Sequence, residues 1–244
     1  MMQALSAANI LKIWERGSGL RPFERALLIL DYGSLEHGRE SSLDLSLGAR
    51  DRLLFEIYRL SFGDTLDAYT ECPSCQERLE FSLSCSEILQ NDEAQEIPEH
   101  SSVNIDGLEF TLRPPNSRDA AAAAASDSVT AAKTLLLNRC ANPARLADCA
   151  VDALPAATQT KIITAIAALD PQAELLMDLV CPACHGAWQG VFEVSDFVWA
   201  EIRTRAKRLL QQIDALARVY GWREADILAL SETRRNLYVQ MAVA

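Results

Sequence analysis

Cys72-Pro73-Ser74-Cys75 and Cys181-Pro182-Ala183-Cys184 are two copies of one tetrapeptide pattern, and together they supply the four thiolates that a tetrahedral zinc ion takes. In a zinc ribbon each Cys-Pro-x-Cys makes a knuckle at the tip of a hairpin, where backbone N–H groups turn toward the sulfurs and the proline stiffens the turn. The residues that follow suit this arrangement. Leu79, Phe81 and Leu83 alternate with Glu80 and Ser82, and Trp188, Gly190, Phe192 and Val194 alternate with Gln189 and Glu193. A period of two predicts strands with one buried face. The two motifs therefore read as halves of one structural Zn2+ site with Cys72, Cys75, Cys181 and Cys184 as its ligands.

The spacing between the halves is far longer than in a compact ribbon, so a folded insert must lie between them. A redox Cys-x-x-Cys usually opens a helix whose dipole lowers the first thiol's pKa, whereas strands follow both motifs here. Four thiolates also suit an iron centre. Zinc is preferred because a closed site of four cysteines is its usual form. His185 adjoins a ligand, but the site is full without it, and it reads as a solvated knuckle residue. Cys85, Cys140 and Cys149 lack the paired spacing and read as small buried apolar side chains.

Seven cysteines, four of them in metal-type pairs, suit a reducing compartment better than a disulfide framework. No apolar stretch is long enough to span a bilayer, and the N-terminus lacks the pattern of a secretory signal. The expected location is the cytoplasm. The net charge of −11 is unevenly spread. Glu87, Asp92, Glu93, Glu96, Glu99, Asp106 and Glu109 follow the first knuckle with no Lys or Arg among them, which repels a polyanion. Arg203, Arg205, Lys207 and Arg208 cluster near the C-terminus, with Arg234-Arg235 later. Their ordinary reading is a solvated helix face. The functional one is a docking surface for an acidic partner, with Arg203, Arg208, Trp222, Arg234, Arg235 and Tyr238 as candidate contacts. Trp222, Leu237 and Tyr238 are expected to anchor the C-terminal segment to the body or to a partner.

The first third reads as helical. Ala8, Leu11 and Trp14, with Ile10 beside them, begin an apolar stripe ended by Gly17 and Gly19. Pro22 suits the first turn of a second helix carrying Ala26, Leu27 and Leu30. After a polar stretch from Gly33 to Asp44, Ser46 can cap a third helix that Gly63 ends. Asp106-Gly107, between two alternating segments, predicts a type I′ hairpin, expected to extend the ribbon's sheet. Pro114-Pro115 ends it. Asn116 or Ser117 can cap a helix through the alanines at 120 to 125, and Ser128 can cap another. Ile162, Ile163, Ile166 and Leu169 mark one more. A helix of about 23 residues, ending at Gly221, carries Val198, Ile202, Leu209, Ile213, Leu216 and Tyr220. Shorter helices follow at Ala225 to Leu230 and from Ser231.

The expected fold is α+β and mostly helical, with a small antiparallel zinc-ribbon sheet built from two distant halves. Its segments are an N-terminal helical part (1–66), the first ribbon half and hairpin (67–115), a helical insert (116–172), the second ribbon half (173–196) and C-terminal helices (197–244), in one compact domain.

No Gly-rich phosphate loop, Gly-x-Ser-x-Gly elbow, His-Glu-x-x-His helix or dinucleotide fingerprint occurs. Only His37, His100 and His185 offer imidazole bases, and two of them sit in polar stretches with no nucleophile pattern nearby. A metal closed by four thiolates has no open position for water. No enzymatic activity and no small-molecule substrate are expected. The competing class is a nucleic-acid-associated zinc ribbon. Charge argues against it, because the ribbon halves carry Glu71, Glu77, Glu80, Glu87 and Glu193 against only Arg78.

Taken in order, a further set of segments runs nearly end to end: Arg25-Ala26-Leu27-Leu28, Leu47-Gly48-Ala49-Arg50-Asp51, Phe62-Gly63, and the first knuckle with Leu79-Glu80-Phe81. Leu112-Arg113-Pro114-Pro115 with Asp119, Leu169-Asp170-Pro171-Gln172-Ala173, and the second knuckle with Trp188 continue it. Tyr220-Gly221-Trp222, Ile227-Leu228-Ala229-Leu230-Ser231, and Arg234-Arg235 with Tyr238 close it. In this set the chain resembles the zinc-ribbon-bearing members of the T4-like baseplate hub proteins of contractile phage tails and extracellular contractile injection systems. The resemblance implies a non-enzymatic baseplate part or assembly factor that works through contacts with other baseplate, tail-tube or spike proteins. It also implies incorporation into a phage tail or injection particle; the charge leads us to expect no nucleic-acid partner, and the lack of a spanning apolar stretch no membrane partner.

Overall fold

End signals and apolar spacing set the helices, and the computed structural model describes residues 1–35, 39–90, 98–143 and 151–243. His37, Asp92, Glu93, Glu96 and Cys149, singled out above, lie outside the described residues.

Helix α1 (Ala7–Gly17) starts where the Ser6 hydroxyl accepts from Asn9 N–H, and it buries Ile10, Leu11 and Ile13. Trp14, expected within the stripe, is only half buried because the buried face centres on Ile10 and Ile13. Helix α2 (Pro22–Gly33) opens with proline, whose fixed φ and missing N–H suit a first turn. It carries Ala26, Leu27, Leu28, Ile29 and Leu30 into the core. The polar stretch after it contains a short helix, α3 (Arg39–Asp44). Ser46 caps α4 (Leu47–Phe62) by accepting from Ala49 N–H, and Gly63 closes it at φ 106°.

Strands β1 (Thr65–Glu71) and β2 (Arg78–Ser84) pair antiparallel around the first knuckle, and α5 (Cys85–Gln90) follows. Strands β3 (Ser101–Ile105) and β4 (Leu108–Leu112) form the expected hairpin, with Asp106 at φ 52° and Gly107 at φ 82°, the positive pair of a type I′ turn. This hairpin does not extend the ribbon. Its other partner is β5 (Ala141–Pro143), brought alongside β4 by helices α6 (Ser117–Ala124) and α7 (Val129–Cys140), capped by Asn116 and Ser128. Helix α8 (Ala156–Leu169) packs on α7 and β3.

The second knuckle lies between β6 (Leu175–Val180) and β7 (Ala187–Phe192), again antiparallel. Among the described residues the ribbon is thus two separate two-stranded ladders. Helix α9 (Val194–Tyr220) begins directly after β7 and so runs 27 residues, one turn longer than its apolar spacing predicts. It is the spine against which α1, α2, α4, α10 (Glu224–Ala229) and α11 (Glu232–Val243) pack.

Two apolar clusters result. The larger joins α1, α2, α4 and α9 to the roots of both ribbon ladders through Leu66, Ala68 and Phe192. The smaller collects Ile105, Phe110, Leu112, Leu137, Val151 and Ile162 between the three-stranded sheet, α7 and α8. No helix among the described residues is long and apolar enough to cross a membrane.

Candidate metal centre

Each Cys-Pro-x-Cys sits at a hairpin tip and folds in the same way. Cys72 N–H donates to Glu77 O at 2.9 Å and Gln76 N–H to Cys72 O at 2.9 Å; Cys181 N–H donates to Gly186 O at 2.9 Å and His185 N–H to Cys181 O at 3.0 Å. The residue after the second cysteine is left-handed in both, Gln76 at φ 63° and His185 at φ 57°. His185 therefore serves as a turn residue, exposed to solvent. An added Cβ at Gly186 would lie 3.4 Å from Cys184 Sγ and 3.7 Å from Ser74 Oγ, so the second tip closes tightly on the first.

The hairpins meet cysteine to cysteine. Cys72 Sγ lies 3.6 Å from Cys184 Sγ, and Cys75 Sγ 3.6 Å from Cys181 Sγ. All four sulfurs fall within 4.8 Å of one another. Each hairpin gives one buried thiol, Cys72 or Cys181, and one exposed thiol, Cys75 or Cys184. A disulfide needs sulfurs at about 2.05 Å, so these contacts are not bonds. Zn–S bonds of about 2.3 Å in a tetrahedron put the sulfurs about 3.8 Å apart, close to the observed spacing. The residues fit a metal ion of that coordination.

Electrostatics point the same way. The Cys75 N–H holds the Cys72 thiol down to about 6, with the Ser74 N–H and the neighbouring thiols adding to the effect against some burial. The Glu77 N–H acts likewise on Cys75, but the crowding of Cys184, Cys181 and Cys72 outweighs it and pushes that thiol up to about 12. Thiolates this close cannot all ionise without a cation to share their charge.

The ladders are also fixed at their roots. Phe192 at the end of β7 stacks on Phe197 with centroids 4.2 Å apart and on Phe55 of α4 at 6.2 Å. Leu66 and Ala68 of β1 are buried in the same cluster. A metal at the tips would close a frame whose base is already packed.

A second joint, absent from the sequence-based reading as a site, ties the intervening segment to the body. The Asp119 side chain is fully buried. Its Oδ2 accepts from Arg113 Nη1 at 2.6 Å and Asn116 N–H at 3.0 Å, and its Oδ1 from Arg113 Nη2 at 3.0 Å and Arg139 Nε at 2.6 Å. Burial raises its pKa, but hydrogen bonds from Arg113, Asn116 and Arg139 prevail and hold the carboxyl below its ordinary value. A few residues away, Leu47 N–H donates to Pro115 O at 3.1 Å, and Gly48 N–H donates to Asp170 Oδ2 at 2.8 Å across 122 positions of sequence. An added Cβ at Gly48 would overlap Asp170 Oδ1 and lie 2.9 Å from Ala173 N, so only glycine admits this approach. The start of α4 thereby grips the segments before α6 and after α8. The sequence signals for the buried carboxylate were the capping box Asn116-x-x-Asp119 and the grouping of Leu112-Arg113-Pro114-Pro115 with Asp119 in the resemblance.

Elsewhere, Cys85 and Cys140 are buried as expected, and burial pushes both thiols up to about 11. Arg203, Arg208 and Arg234 are exposed. Arg235 is not a surface residue: it is 5% exposed, with Nε donating to Gln212 Oε1 at 2.7 Å and Nη1 to Leu230 O at 3.1 Å. The turn at Gly221 folds α11 back along α9 and draws its guanidinium inward. Trp222 stacks on Tyr220 at 4.8 Å and meets Tyr238 edge-on at 4.9 Å, and Trp222 and Tyr238 pack on the larger core, anchoring the segment to the body. Leu237 instead points outward, 54% exposed. His100 is exposed, 4.0 Å from Glu99.

Comparison with known proteins gives one family. The model of the family described as "T4 bacteriophage base plate protein" matches residues 33–199, more than half of the chain. No curated protein and no solved structure matches.

Proposed function

The chain belongs to the T4 bacteriophage base plate protein family, and from that premise we propose that it is a non-enzymatic structural component or assembly factor of the baseplate of a contractile phage tail or phage-tail-like injection system. The family match carries this proposal, since it spans both ribbon hairpins and everything between them. In this role Cys72, Cys75, Cys181 and Cys184 hold one Zn2+. The bound ion supplies a tetrahedral cross-link between hairpins and, with four protein ligands, no open position for chemistry.

Surface character supports action through protein contacts. Leu176, Val180 and Val191 on the outer face of the β6–β7 ladder are 49%, 61% and 55% exposed, and Leu176 sits directly opposite Val191. Apolar side chains gathered on one face commonly mark protein contact. Arg203, Arg208 and Arg234 provide a basic surface on the C-terminal helices, with Arg235, Trp222 and Tyr238 supporting it from within. The partners are other baseplate, tail-tube or spike proteins, and the chain acts among them as one compact unit.

The experiment is mass spectrometry of proteins recovered with a tagged copy from its native cell under particle-inducing conditions. Recovery of tail-tube, spike and wedge proteins is expected. Nuclease-sensitive recovery of polymerase or ribosomal proteins would replace this function with that of a nucleic-acid-associated ribbon.

A further inference from the structure

A cleft of about 410 Å³ opens between the start of α1, the end of α4, the middle of α9 and the α10–α11 junction. Three arginines line it, Arg205 and Arg208 with the buried Arg235 at its floor, against the single acidic residue Glu232. Glu232 is occupied by Arg205, which also pairs with Glu201 at 2.7 Å. Among the described residues Arg208 reaches only Asn236 Oδ1, at 3.4 Å. Arg235, nine-tenths buried, has two neutral acceptors and no carboxylate in ion-pair range among the described residues. Burial holds its pKa below the ordinary arginine value; Glu232 opposes that shift and Arg208 reinforces it.

A buried cation with hydrogen bonds but no carboxylate in ion-pair range is costly, and it stands out in a chain of net charge −11. The rest of the lining is mixed: Ile10, Phe62, Leu209 and Leu228 share it with Ser6, Ser61, Gln212 and Ser231. We infer that this cleft is a binding site for a carboxylate carried on an apolar segment of a neighbouring protein, an aspartate or glutamate side chain flanked by aliphatic residues, with Arg208 and Arg235 as its counter-charges. The arginines beside Ile10, Phe62, Leu209 and Leu228 complement a carboxylate with aliphatic neighbours better than a free inorganic anion, and the acidic chain as a whole repels polyanions. This inference rests on the protein-contact role proposed above and names the chemistry of one partner.

The test uses the full chain and two acetylated, amidated pentapeptides, one with glutamate between two leucines and one with glutamine in its place, followed by NMR at millimolar concentration. The glutamate peptide should bind at least tenfold more tightly and shift the Arg235 Nε–H resonance. Arg208→Gln, an exposed substitution compatible with folding, should reduce that preference at least threefold. Arg203→Gln, on the same helix but outside the cleft, should leave it unchanged. Equal binding of the two peptides, an equal loss in Arg203→Gln, or inorganic phosphate competing as well as the glutamate peptide would each overturn the inference. Pull-downs keep the two levels apart. If the wild-type chain captures tail proteins but does not discriminate between the peptides, the cleft assignment fails and the baseplate role stands. If it discriminates between the peptides but captures no tail protein, the cleft assignment stands and the role fails.

Discussion

The cysteine tips and the Asp119–Asp170 joint solve one problem in two ways. Both bring together stretches more than a hundred positions apart, Cys72 with Cys184 and Gly48 with Asp170. The tips do so with four thiols that cannot all ionise at this spacing unless a cation shares their charge. The inner joint does so with groups that complete one another within the chain, a buried carboxylate clasped by two arginines and a glycine N–H that meets an aspartate. The contrast predicts that hairpins closed by the proposed metal depend on its supply, whereas the segment between them is held by contacts within the polypeptide.

The sharpest way to break that contrast is to remove thiols from both hairpins. In Cys72→Ser/Cys181→Ser the melting temperature should fall the furthest of any variant considered, on the order of 15 °C. Hydrogen exchange should show the β1–β2 and β6–β7 amides losing protection while β3, β4 and β5 keep theirs. Equal loss in both regions would mean that the joints are not separate. Asp119→Ala is the reverse experiment. It leaves Arg113 and Arg139 without their shared anion and should cost about 3–5 kcal/mol in urea unfolding, with metal stoichiometry unchanged. Gly48→Ala pushes a methyl against Asp170 and Ala173 and should cost about 1–3 kcal/mol; no loss would show that the approach of α4 to Asp170 is not tight.

The smallest expected effect is on pH dependence, and its sign follows from the depressed pKa of Asp119. The unfolded carboxyl titrates near about 3.9, so the stabilisation is complete above that pH and is lost as pH falls toward the lower folded value. Between pH 5 and pH 4 only the onset is visible, less than about 1 kcal/mol. Subtracting the urea-unfolding profile of Asp119→Asn from that of the wild type removes the acid sensitivity of the thiol site, common to both, and should leave this component. A flat difference down to pH 3 would mean that the carboxylate is not ionised in the fold.

Sequence made the tips legible because Cys-Pro-x-Cys is rare and its chemistry narrow. Two such motifs with alternating residues after each leave few arrangements, and the observed hairpins follow them. Helix ends were equally readable at Ser46, Asn116, Ser128 and Gly221, where one side chain or one left-handed residue decides the boundary. Pairing beyond neighbours was not. The Asp106-Gly107 turn announces a hairpin but not its third strand, and β5 is a three-residue stretch with no strand pattern of its own, positioned by α7. The inner joint was hidden for a related reason. Asp, Arg and Gly are common; the capping box marks Asp119 as a helix-start residue but not as a buried anion, and nothing local distinguishes the buried Arg235 from the exposed bases around it. Only the fold decides which of these charges leaves water.

The most direct test of the central claim, that a metal closes the two hairpin tips, is native mass spectrometry of the reduced full chain from zinc-supplemented cells. One zinc ion per chain, absent from Cys72→Ser/Cys181→Ser, is the predicted result. A folded wild-type chain carrying no metal, or one whose four cysteines are paired as disulfides, would contradict it.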